Sequence, residues 1–167
     1  MSLLEIVQWP DERLGVVCDQ VDVVSAKVKE LAQDMLETMY AAPGRGLAAP
    51  QVGVLSRLFV MDATWKDGDR SPLVFINPEI LDQSSETAEL AEGCLSIPGV
   101  LVDVKRPVRV RLAWTALTGE REECDFDGFE AACVQHELDH LNGVLTLDRV
   151  SPEERRRAIA RYDGVVG

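Results

Sequence analysis

The alternation of apolar and polar residues predicts a helix in the N-terminal half of the chain. Four apolar residues recur at intervals of three or four and share one helical face: Val28, Leu31, Met35 and Met39. Ser25 supplies a favourable N-cap, and Pro43 followed by Gly44 ends the pattern. At this spacing the two methionines are interpreted as core residues and not as sulfur ligands.

Short apolar runs bounded by turn residues predict several β-strands. Four such runs lie at residues 58–61, 73–76, 100–104 and 108–112. A more polar strand at 121–126 is expected to follow a hairpin turn. Asn77-Pro78 is predicted to end the second strand, and the polar residues 82–91 are predicted to cross the surface. Arg106-Pro107 is predicted to separate the third strand from the fourth.

A second helix is predicted to begin at Asp127-Gly128 and to end at Asn142-Gly143, a favourable C-cap. Five of its residues are expected on the inner face: Phe129, Ala132, Cys133, His136 and His140. Ser151-Pro152 begins a third helix. This third helix is rich in arginine, which indicates a solvated terminal face, with a docking patch as the alternative: Arg155, Arg156, Arg157 and Arg161.

Length and composition limit the classes of protein that fit. The 167 residues suit one domain, residues 1–167, and 46% hydrophobic with 28% charged residues is typical of a globular protein. A net charge of -12 argues against broad binding to nucleic acid or to an anionic membrane. We expect no signal peptide and no membrane span. The four cysteines are widely scattered, which favours reduced thiols and a cytoplasmic location.

The two histidines, His136 and His140, lie four residues apart in the second predicted helix. Residues at this spacing lie on one face, so both imidazoles can bind one ion. Glu137 follows the first histidine, so its carboxylate can act as a base on a water molecule beside that ion. This H-E-x-x-H arrangement predicts a metal site with a general base. Two chance histidines on a solvated helix are the alternative.

A catalytic metal site usually has three protein ligands and one open position, so a third ligand is needed. The short remainder after His140 leaves little room for the second half of a zinc protease, and cysteine is the better candidate. Cys133 lies about 10 Å of helical rise from His140 and is expected on the pocket floor. Cys18 and Cys124 are expected in polar, unconstrained segments. Cys94, in a tight Gly-Cys-Leu turn, is the predicted ligand.

Residues 44–53 combine three glycines with small and rigid side chains. This composition indicates backbone that passes close to another group, and a tight turn between a helix and a strand is an equal alternative. No Lys-Ser or Lys-Thr pair follows the glycines, which excludes a phosphate-binding loop. Gln51 is the one side chain here that can both donate and accept a hydrogen bond.

Three stretches together resemble the peptide deformylase family. The family pattern contains G-h-G-h-A-A-x-Q (h is hydrophobic), E-G-C-L-S and Q-H-E-x-D-H. These motifs match residues 44–51, 92–96 and 135–140 in the same order. The resemblance extends over nearly the whole chain, including residues 11–14 and Asn77-Pro78. Three motifs in this order are far more specific than any one of them.

The resemblance implies an α+β fold in one domain. A central metal-binding helix would be surrounded by antiparallel β-sheets, with one helix in the N-terminal half and another at the C-terminus. It implies a metallohydrolase that removes the N-formyl group from the first methionine of newly synthesised peptides. It also implies Fe2+ as the physiological metal, with Zn2+ or Ni2+ able to occupy the site.

The resemblance also assigns roles to individual residues. Cys94, His136 and His140 would bind the metal. Glu137 would accept a proton from the attacking water and deliver it to the leaving amine. The Gln51 side-chain amide and the backbone N–H of Leu95 would hold the oxyanion. The Gly46 backbone would pair with an extended peptide. Glu92 and Arg106 are expected to form a supporting ion pair.

Three residues near the expected side-chain pocket depart from the family pattern. Arg45 stands where the family has a hydrophobic residue, Ala132 is smaller than the usual aliphatic residue, and Phe129 is larger than the usual leucine. Gly99-Val100-Leu101 also lacks an arginine that some members carry. We therefore expect a bacterial-type deformylase with an altered pocket: Arg45, Gly46, Phe129, Ala132 and Cys133.

Two alternatives remain on the sequence alone. A related enzyme with this pocket could hydrolyse a different formyl or acyl amide. A non-catalytic metal-bearing module could instead dock on the ribosome through the basic C-terminal helix. Glu137 argues against the second alternative, because a structural metal site needs no general base.

Overall fold

The coordinates are a computed structural model that describes residues 2–166, with side chains described for residues 2–164. The predicted domain boundaries, 1–167, include a first and a last residue that lie outside the described residues. The described part forms an α+β fold with three α-helices: α1 (Ala26–Ala41), α2 (Gly128–Leu141) and α3 (Pro152–Val166). None of these helices combines the length and the apolar character that a membrane span requires.

The strands of the described residues form two antiparallel sheets. In chain order they are β1 (Gly46–Ala48), β2 (Leu58–Met61), β3 (Leu73–Gln83), β4 (Thr87–Cys94), β5 (Ile97–Pro107), β6 (Arg109–Thr115) and β7 (Arg121–Asp127). The larger sheet has the strand order β1-β2-β3-β6-β7, and β4 pairs with β5 in a separate hairpin. One side of β1 is therefore an edge of the larger sheet.

Strand β2 explains how both faces of the larger sheet are covered. All four of its residues are fully buried. Leu58 and Val60 point into a core that also holds Met35 and Met39 of α1. The alternate residues, Phe59 and Met61, point into a second core with α2 residues: Val134, Leu138 and Leu141. Because side chains alternate along a strand, α1 and α2 cover opposite faces of this sheet.

The third helix covers the β4–β5 hairpin. Alternate residues of β5 are buried, and Val100, Val102 and Val104 form a core with Ala158 and Tyr162 of α3. Helix α2 contacts both sheets, with neighbours in β1, β2, β5, β6 and β7. The predicted fold, with a central helix between antiparallel sheets, is confirmed.

The predicted helix boundaries are also confirmed. The Ser25 hydroxyl accepts a hydrogen bond from the backbone N–H of Val28 at 3.3 Å at the start of α1. The Ser151 hydroxyl accepts one from Glu154 at 3.1 Å at the start of α3. Gly143 has φ of 72°, the left-handed conformation that commonly follows a helix C-cap.

The predicted end of the second strand at Asn77-Pro78 is wrong, because β3 continues to Gln83. Asn77 adopts φ of 50°, and the pairing with β6 shifts register between Ile76 and Glu79. The Asn77 side chain exchanges two hydrogen bonds of 2.8 Å with the backbone of Val21. These bonds stabilise the unusual backbone conformation, so the strand bends and passes the proline instead of ending.

The predicted surface position of residues 82–91 is confirmed, because all of them except the half-buried Ser84 are exposed. Most of the segment nevertheless belongs to β3 and β4. Six of the eight residues of β4 are exposed on the hairpin, including the apolar Leu90. Its partner β5 includes Arg106-Pro107 as its last two residues, so the predicted break between the two strands falls one residue later, at Val108. Periodicity alone could not detect β4, because its pairing to β5 and not a buried face defines it.

Candidate metal centre and active site

Helix α2 brings the two histidines together. The rings of His136 and His140 lie 5.0 Å apart between centroids, as the four-residue spacing predicts, and both are buried. The chain enters the helix through Gly128, whose φ of 56° few other residues adopt at low cost. The two imidazoles therefore face the same point between α2 and the β4–β5 hairpin.

Cys94, the last residue of β4, supplies the sulfur. Its Sγ lies 3.5 Å from Nε2 of His140. Three residues each offer one ligand atom, and these three atoms lie within 4.8 Å of one another: Cys94, His136 and His140. Tetrahedral ligands at bond lengths of about 2.0–2.3 Å stand roughly 3.4–3.7 Å apart, so small adjustments suffice to bind one cation. The sulfur and nitrogen donors fit a transition-metal ion, and the structure contains a metal-binding site.

The other cysteines lie outside this site. Cys133 is buried beside it, and burial raises the pKa of its thiol well above the usual value, which opposes the thiolate form. Cys18 is buried, contrary to the expectation of an unconstrained polar segment, because the backbone N–H of Cys18 pairs with the α2 carbonyl of Leu141 at 2.8 Å. Cys124 is exposed on β7.

Buried charges orient His136. Its Nδ1–H donates to Glu92 Oε1 at 2.9 Å, which leaves Nε2 for a cation. Glu92 in turn accepts two hydrogen bonds from Arg106, at 2.6 and 2.9 Å. Burial opposes ionisation of Glu92, but the bonds from His136 and Arg106 outweigh it and lower the pKa of this carboxyl. The predicted Glu92–Arg106 ion pair is confirmed.

The network extends further than the sequence analysis predicted. Arg106 also donates to Asp139 Oδ2 at 2.9 Å, and Asp139 accepts two bonds from Arg149, at 3.0 and 2.7 Å. Asp139 lies three residues after His136 and one before His140, inside the Q-H-E-x-D-H stretch. Its position between the two histidines was the sequence signal that Asp139 belongs to the site. Nothing in the sequence identified Arg106 and Arg149 as its partners.

His140 carries no comparable carboxylate partner. Burial, with the positive fields of His136 and Arg106, lowers the pKa of His140 well below its usual value. The imidazole is thereby held neutral, which is the form that coordinates metals. Its Nδ1 is buried without a hydrogen-bond partner among residues 2–166.

Glu137 is the acid–base candidate beside the metal ligands. Its Oε2 lies 3.9 Å from Nε2 of His136, and Oε1 is buried with no hydrogen-bond partner within the described range. Burial raises the pKa of this carboxyl to about 7, although the nearby His136 opposes the shift. A carboxyl near neutrality can both accept and return a proton, as acid–base catalysis requires.

Strand β1 passes very close to this carboxylate. A Cβ atom on Gly46 would lie 2.5 Å from Glu137 Oε2, so any side chain at this position would displace the carboxylate. A Cβ on Gly44 would lie 2.7 Å from the side chain of Leu95. The hypothesis that the glycine-rich segment passes close to another group is therefore confirmed, and the segment forms β1 and a following 3-10 turn at Ala49–Val52.

Gln51 is buried in that turn and points at the sulfur. Its Oε1 accepts from the backbone of Ala48 at 2.9 Å, which fixes the amide orientation. Its Nε2 donates to Ser96 Oγ at 3.0 Å and lies 3.5 Å from Cys94 Sγ. Leu95 follows Cys94 in the turn that joins β4 to β5. Ser96 is a site residue that sequence reasoning missed, although it belongs to the matched E-G-C-L-S stretch.

The expected pocket residues gather at the N-terminal end of α2. Cys133 Sγ lies 3.9 Å from the backbone carbonyl of Arg45, and Ala132 is buried beside it. The prediction that Phe129 lies on the inner face is wrong, because the first turn of α2 is exposed and 50% of Phe129 is accessible. The Arg45 guanidinium lies over the Phe129 ring, 5.3 Å from its centroid.

The family profile described as Polypeptide deformylase matches residues 3–156 of this chain. The chain belongs to the polypeptide deformylase family. A peptide deformylase of Afipia carboxidovorans is 49% identical over 162 residues, which cover 97% of this chain and 95% of the relative. One from Phenylobacterium zucineum is 46% identical over 161 residues, with 96% and 95% covered.

Solved structures of deformylases have the same fold. The peptide deformylase of Legionella pneumophila superposes with a TM-score of 0.92 at 38% identity, covering 98% of this chain and 95% of that one. The Synechococcus elongatus enzyme, solved in complex with actinonin, has a TM-score of 0.92 at 40% identity, with 96% and 88% covered. This deformylase is accordingly a hydrolase of the class that removes N-formyl groups from nascent peptides.

Proposed function

We propose that this site hydrolyses the formyl amide of N-formylmethionyl peptides, with the residue roles set out below. One observation carries the proposal: Glu137 lies beside a Cys94–His136–His140 cluster and against the Gly46 backbone, and its Oε1 has no hydrogen-bond partner in the described part of the chain. The site thus combines metal ligands, a base and a strand edge for the peptide. Deformylation is favoured over another acyl-amide hydrolysis and over a non-catalytic module by the family relationship.

Cys94, His136 and His140 would hold one divalent cation. We propose Fe2+ as the physiological ion, with Zn2+ or Ni2+ able to replace it, on the strength of the family resemblance and the mixed sulfur and nitrogen donors. When bound, the cation supplies Lewis-acid polarisation of the formyl carbonyl and lowers the pKa of the attacking water. The Glu92 carboxylate keeps the His136 ring in the binding orientation.

The peptide would bind as an added strand. Strand β1 is an edge of the larger sheet, and its Gly46 offers backbone N–H and C=O groups beside Glu137. An extended peptide can pair with this edge through main-chain hydrogen bonds, which places its formyl end at the metal ligands. The methionine side chain would enter the pocket at Ala132 and Cys133.

Glu137 would move the proton. Its carboxylate accepts a proton from the water molecule whose oxygen attacks the formyl carbon. As the C–N bond breaks, the protonated Glu137 delivers that proton to the departing amine nitrogen. The products are formate and a peptide with a free N-terminus, and Glu137 returns to its starting form.

Two donors would stabilise the negative oxygen that develops on the formyl carbonyl. Gln51 Nε2 donates to Ser96 Oγ at 3.0 Å and to Cys94 Sγ at 3.5 Å, and the hydrogen directed at the sulfur would turn to the oxyanion when substrate binds. The backbone N–H of Leu95 is the second donor. Removing one such donor typically raises the barrier by about 3 kcal/mol.

The test is formate release from formyl-Met-Ala-Ser by protein loaded with Fe2+ under anaerobic conditions. We expect Glu137→Ala to keep one metal ion per chain and to lose at least about 100-fold in kcat. A Glu137→Ala protein that deformylates at the parental rate would refute the assigned role. A parental protein that cleaves other acyl amides faster than the formyl peptide would refute the proposed substrate.

Cellular placement remains a prediction. We propose a cytoplasmic protein, which agrees with the free thiols of all four cysteines. Transient ribosome contact through α3 also stays a prediction. Three arginines of α3 make intramolecular contacts: Arg155 pairs with Asp148, Arg157 pairs with Glu153, and Arg161 donates to the Leu101 carbonyl.

A further inference from the structure

Arg45 is the one charged residue in the glycine-rich stretch that leads into β1. Its guanidinium carbon lies 5.3 Å from the centroid of the Phe129 ring, and Nη2 lies 3.6 Å from Asp67 Oδ2. The side chain is 32% exposed, whereas that of Asp67 is 82% exposed. The cation is thus held on an aromatic ring at the mouth of the candidate pocket, with only one long and solvent-exposed contact to a counter-charge.

Part of this guanidinium lacks a partner. Nε of Arg45 is buried and makes no hydrogen bond to any residue in the range 2–166. A buried donor without an acceptor is unfavourable, because the hydrogen bond to water that it loses on burial is not replaced by one within the protein. A carboxylate that reached Arg45 could accept two parallel hydrogen bonds from Nε and one terminal nitrogen. The remaining terminal nitrogen could keep its contact with Asp67.

Strand geometry identifies which part of a peptide would reach this cation. Side chains alternate along an extended peptide, so the first and third residues point to the same side and lie about 6.6–6.8 Å apart. The pocket for the first side chain involves Ala132 and Cys133. Phe129 lies three and four residues earlier on the same helix, a rise of about 4.5–6 Å. In a peptide that runs from the metal ligands toward the N-terminal end of α2, the third side chain falls near the Arg45–Phe129 pair.

We propose that Arg45, held on the Phe129 ring, selects formylated peptides with an acidic side chain at the third residue. This inference rests on the proposed deformylase function and adds a substrate class to it. A negatively charged side chain at that position pairs with Nε and one terminal nitrogen of Arg45, while the other terminal nitrogen keeps its contact with Asp67. A lysine at the same position places two cations together and is disfavoured.

The experiment compares three peptides, formyl-Met-Ala-Asp, the isosteric neutral formyl-Met-Ala-Asn and the cationic formyl-Met-Ala-Lys, amidated so that the C-terminus carries no charge. kcat and KM are measured for the metal-loaded parental protein, for Arg45→Leu and for Arg70→Leu. Arg70 is a matched control, because it is an exposed arginine stacked on Tyr40 at 3.9 Å. It bears the same charge near the site but faces a different ring.

The parental protein is expected to prefer the Asp peptide over the Lys peptide by about fivefold in kcat/KM, mostly through KM, the range of a partly exposed ion pair. Arg45→Leu is expected to abolish this preference, and Arg70→Leu to retain it. A parental protein that deformylates all three peptides equally well would overturn the inference alone, as would a preference that survives in Arg45→Leu. If Arg45 served only to pack against Phe129, Arg45→Leu would change kcat/KM by the same factor for all three peptides, and this result would also overturn the inference. Absence of turnover with every peptide would instead refute the proposed function.

Discussion

Replacing Arg106 with leucine tests whether the buried charge network supports the metal centre. Arg106 is buried and makes three hydrogen bonds: two to Glu92 at 2.6 and 2.9 Å and one to Asp139 at 2.9 Å. Removing one partner of a buried ion pair typically costs about 3–5 kcal/mol, because the other charge is left without compensation. In the variant, His136 would still contact Glu92 and Arg149 would still contact Asp139. We therefore expect the free energy of unfolding to fall by the lower value, about 3 kcal/mol.

The assay is urea unfolding of the parental and variant proteins under identical metal loading. Arg111→Leu is the control, because Arg111 lies on β6, the next strand along the chain, and pairs with Asp125 at 3.2 Å and Glu123 at 3.7 Å. Its side chain is 41% exposed, so its loss should cost less than about 1 kcal/mol. Adding Glu92→Gln to Arg106→Leu should recover part of the loss, since it removes the stranded charge.

The same variant should weaken metal binding. Loss of a partner behind a metal ligand typically lowers affinity by about 10–100-fold, and Arg106 holds the carboxylate that orients His136. Competition with a chelator measures this change. The reasoning is refuted if Arg106→Leu unfolds at the same urea concentration as Arg111→Leu and binds metal with parental affinity.

Gly46→Ala should fold but lose most of its deformylase activity, because the added Cβ would meet Glu137 Oε2 at 2.5 Å. Gly15→Ala is the control and should remain active in the same assay, because no atom lies within 4 Å of a Cβ at that position. Equal activity of these two variants would contradict the close approach of β1 to the carboxylate. Gln51→Leu should lower kcat by about 100- to 1,000-fold in formate-release kinetics; an unchanged kcat would remove Gln51 from oxyanion binding. Stripping the metal with a chelator should lower the unfolding midpoint in a thermal melt, since the ion binds only the folded cluster; an unchanged midpoint would contradict that linkage.

Local signals predicted the elements that carry the chemistry. The apolar stripe after Ser25, the His136–His140 spacing and the Ser151-Pro152 start are each contained within one element, so the sequence displays them directly. The third ligand, Cys94, could be selected because its turn was the most constrained of the four cysteine segments.

Features that depend on distant partners could not be read in this way. Strand β3 passes Pro78 because the Asn77 side chain binds the backbone at Val21, 56 residues earlier. Strand β4 is nearly all exposed, so it carries no apolar alternation to detect. Asp139 joins Arg106 of β5 to Arg149 near α3, and only the folded arrangement of these elements brings the three charges together.

The most direct test of the central claim is an anomalous difference map of metal-loaded crystals, collected at the absorption edge of the loaded ion. The account predicts one peak per chain, about 2.0–2.3 Å from Cys94 Sγ and from Nε2 of His136 and His140, with the Glu137 carboxylate adjacent. A peak coordinated by other side chains, or a Cys94 sulfur beyond bonding distance of it, would contradict the account.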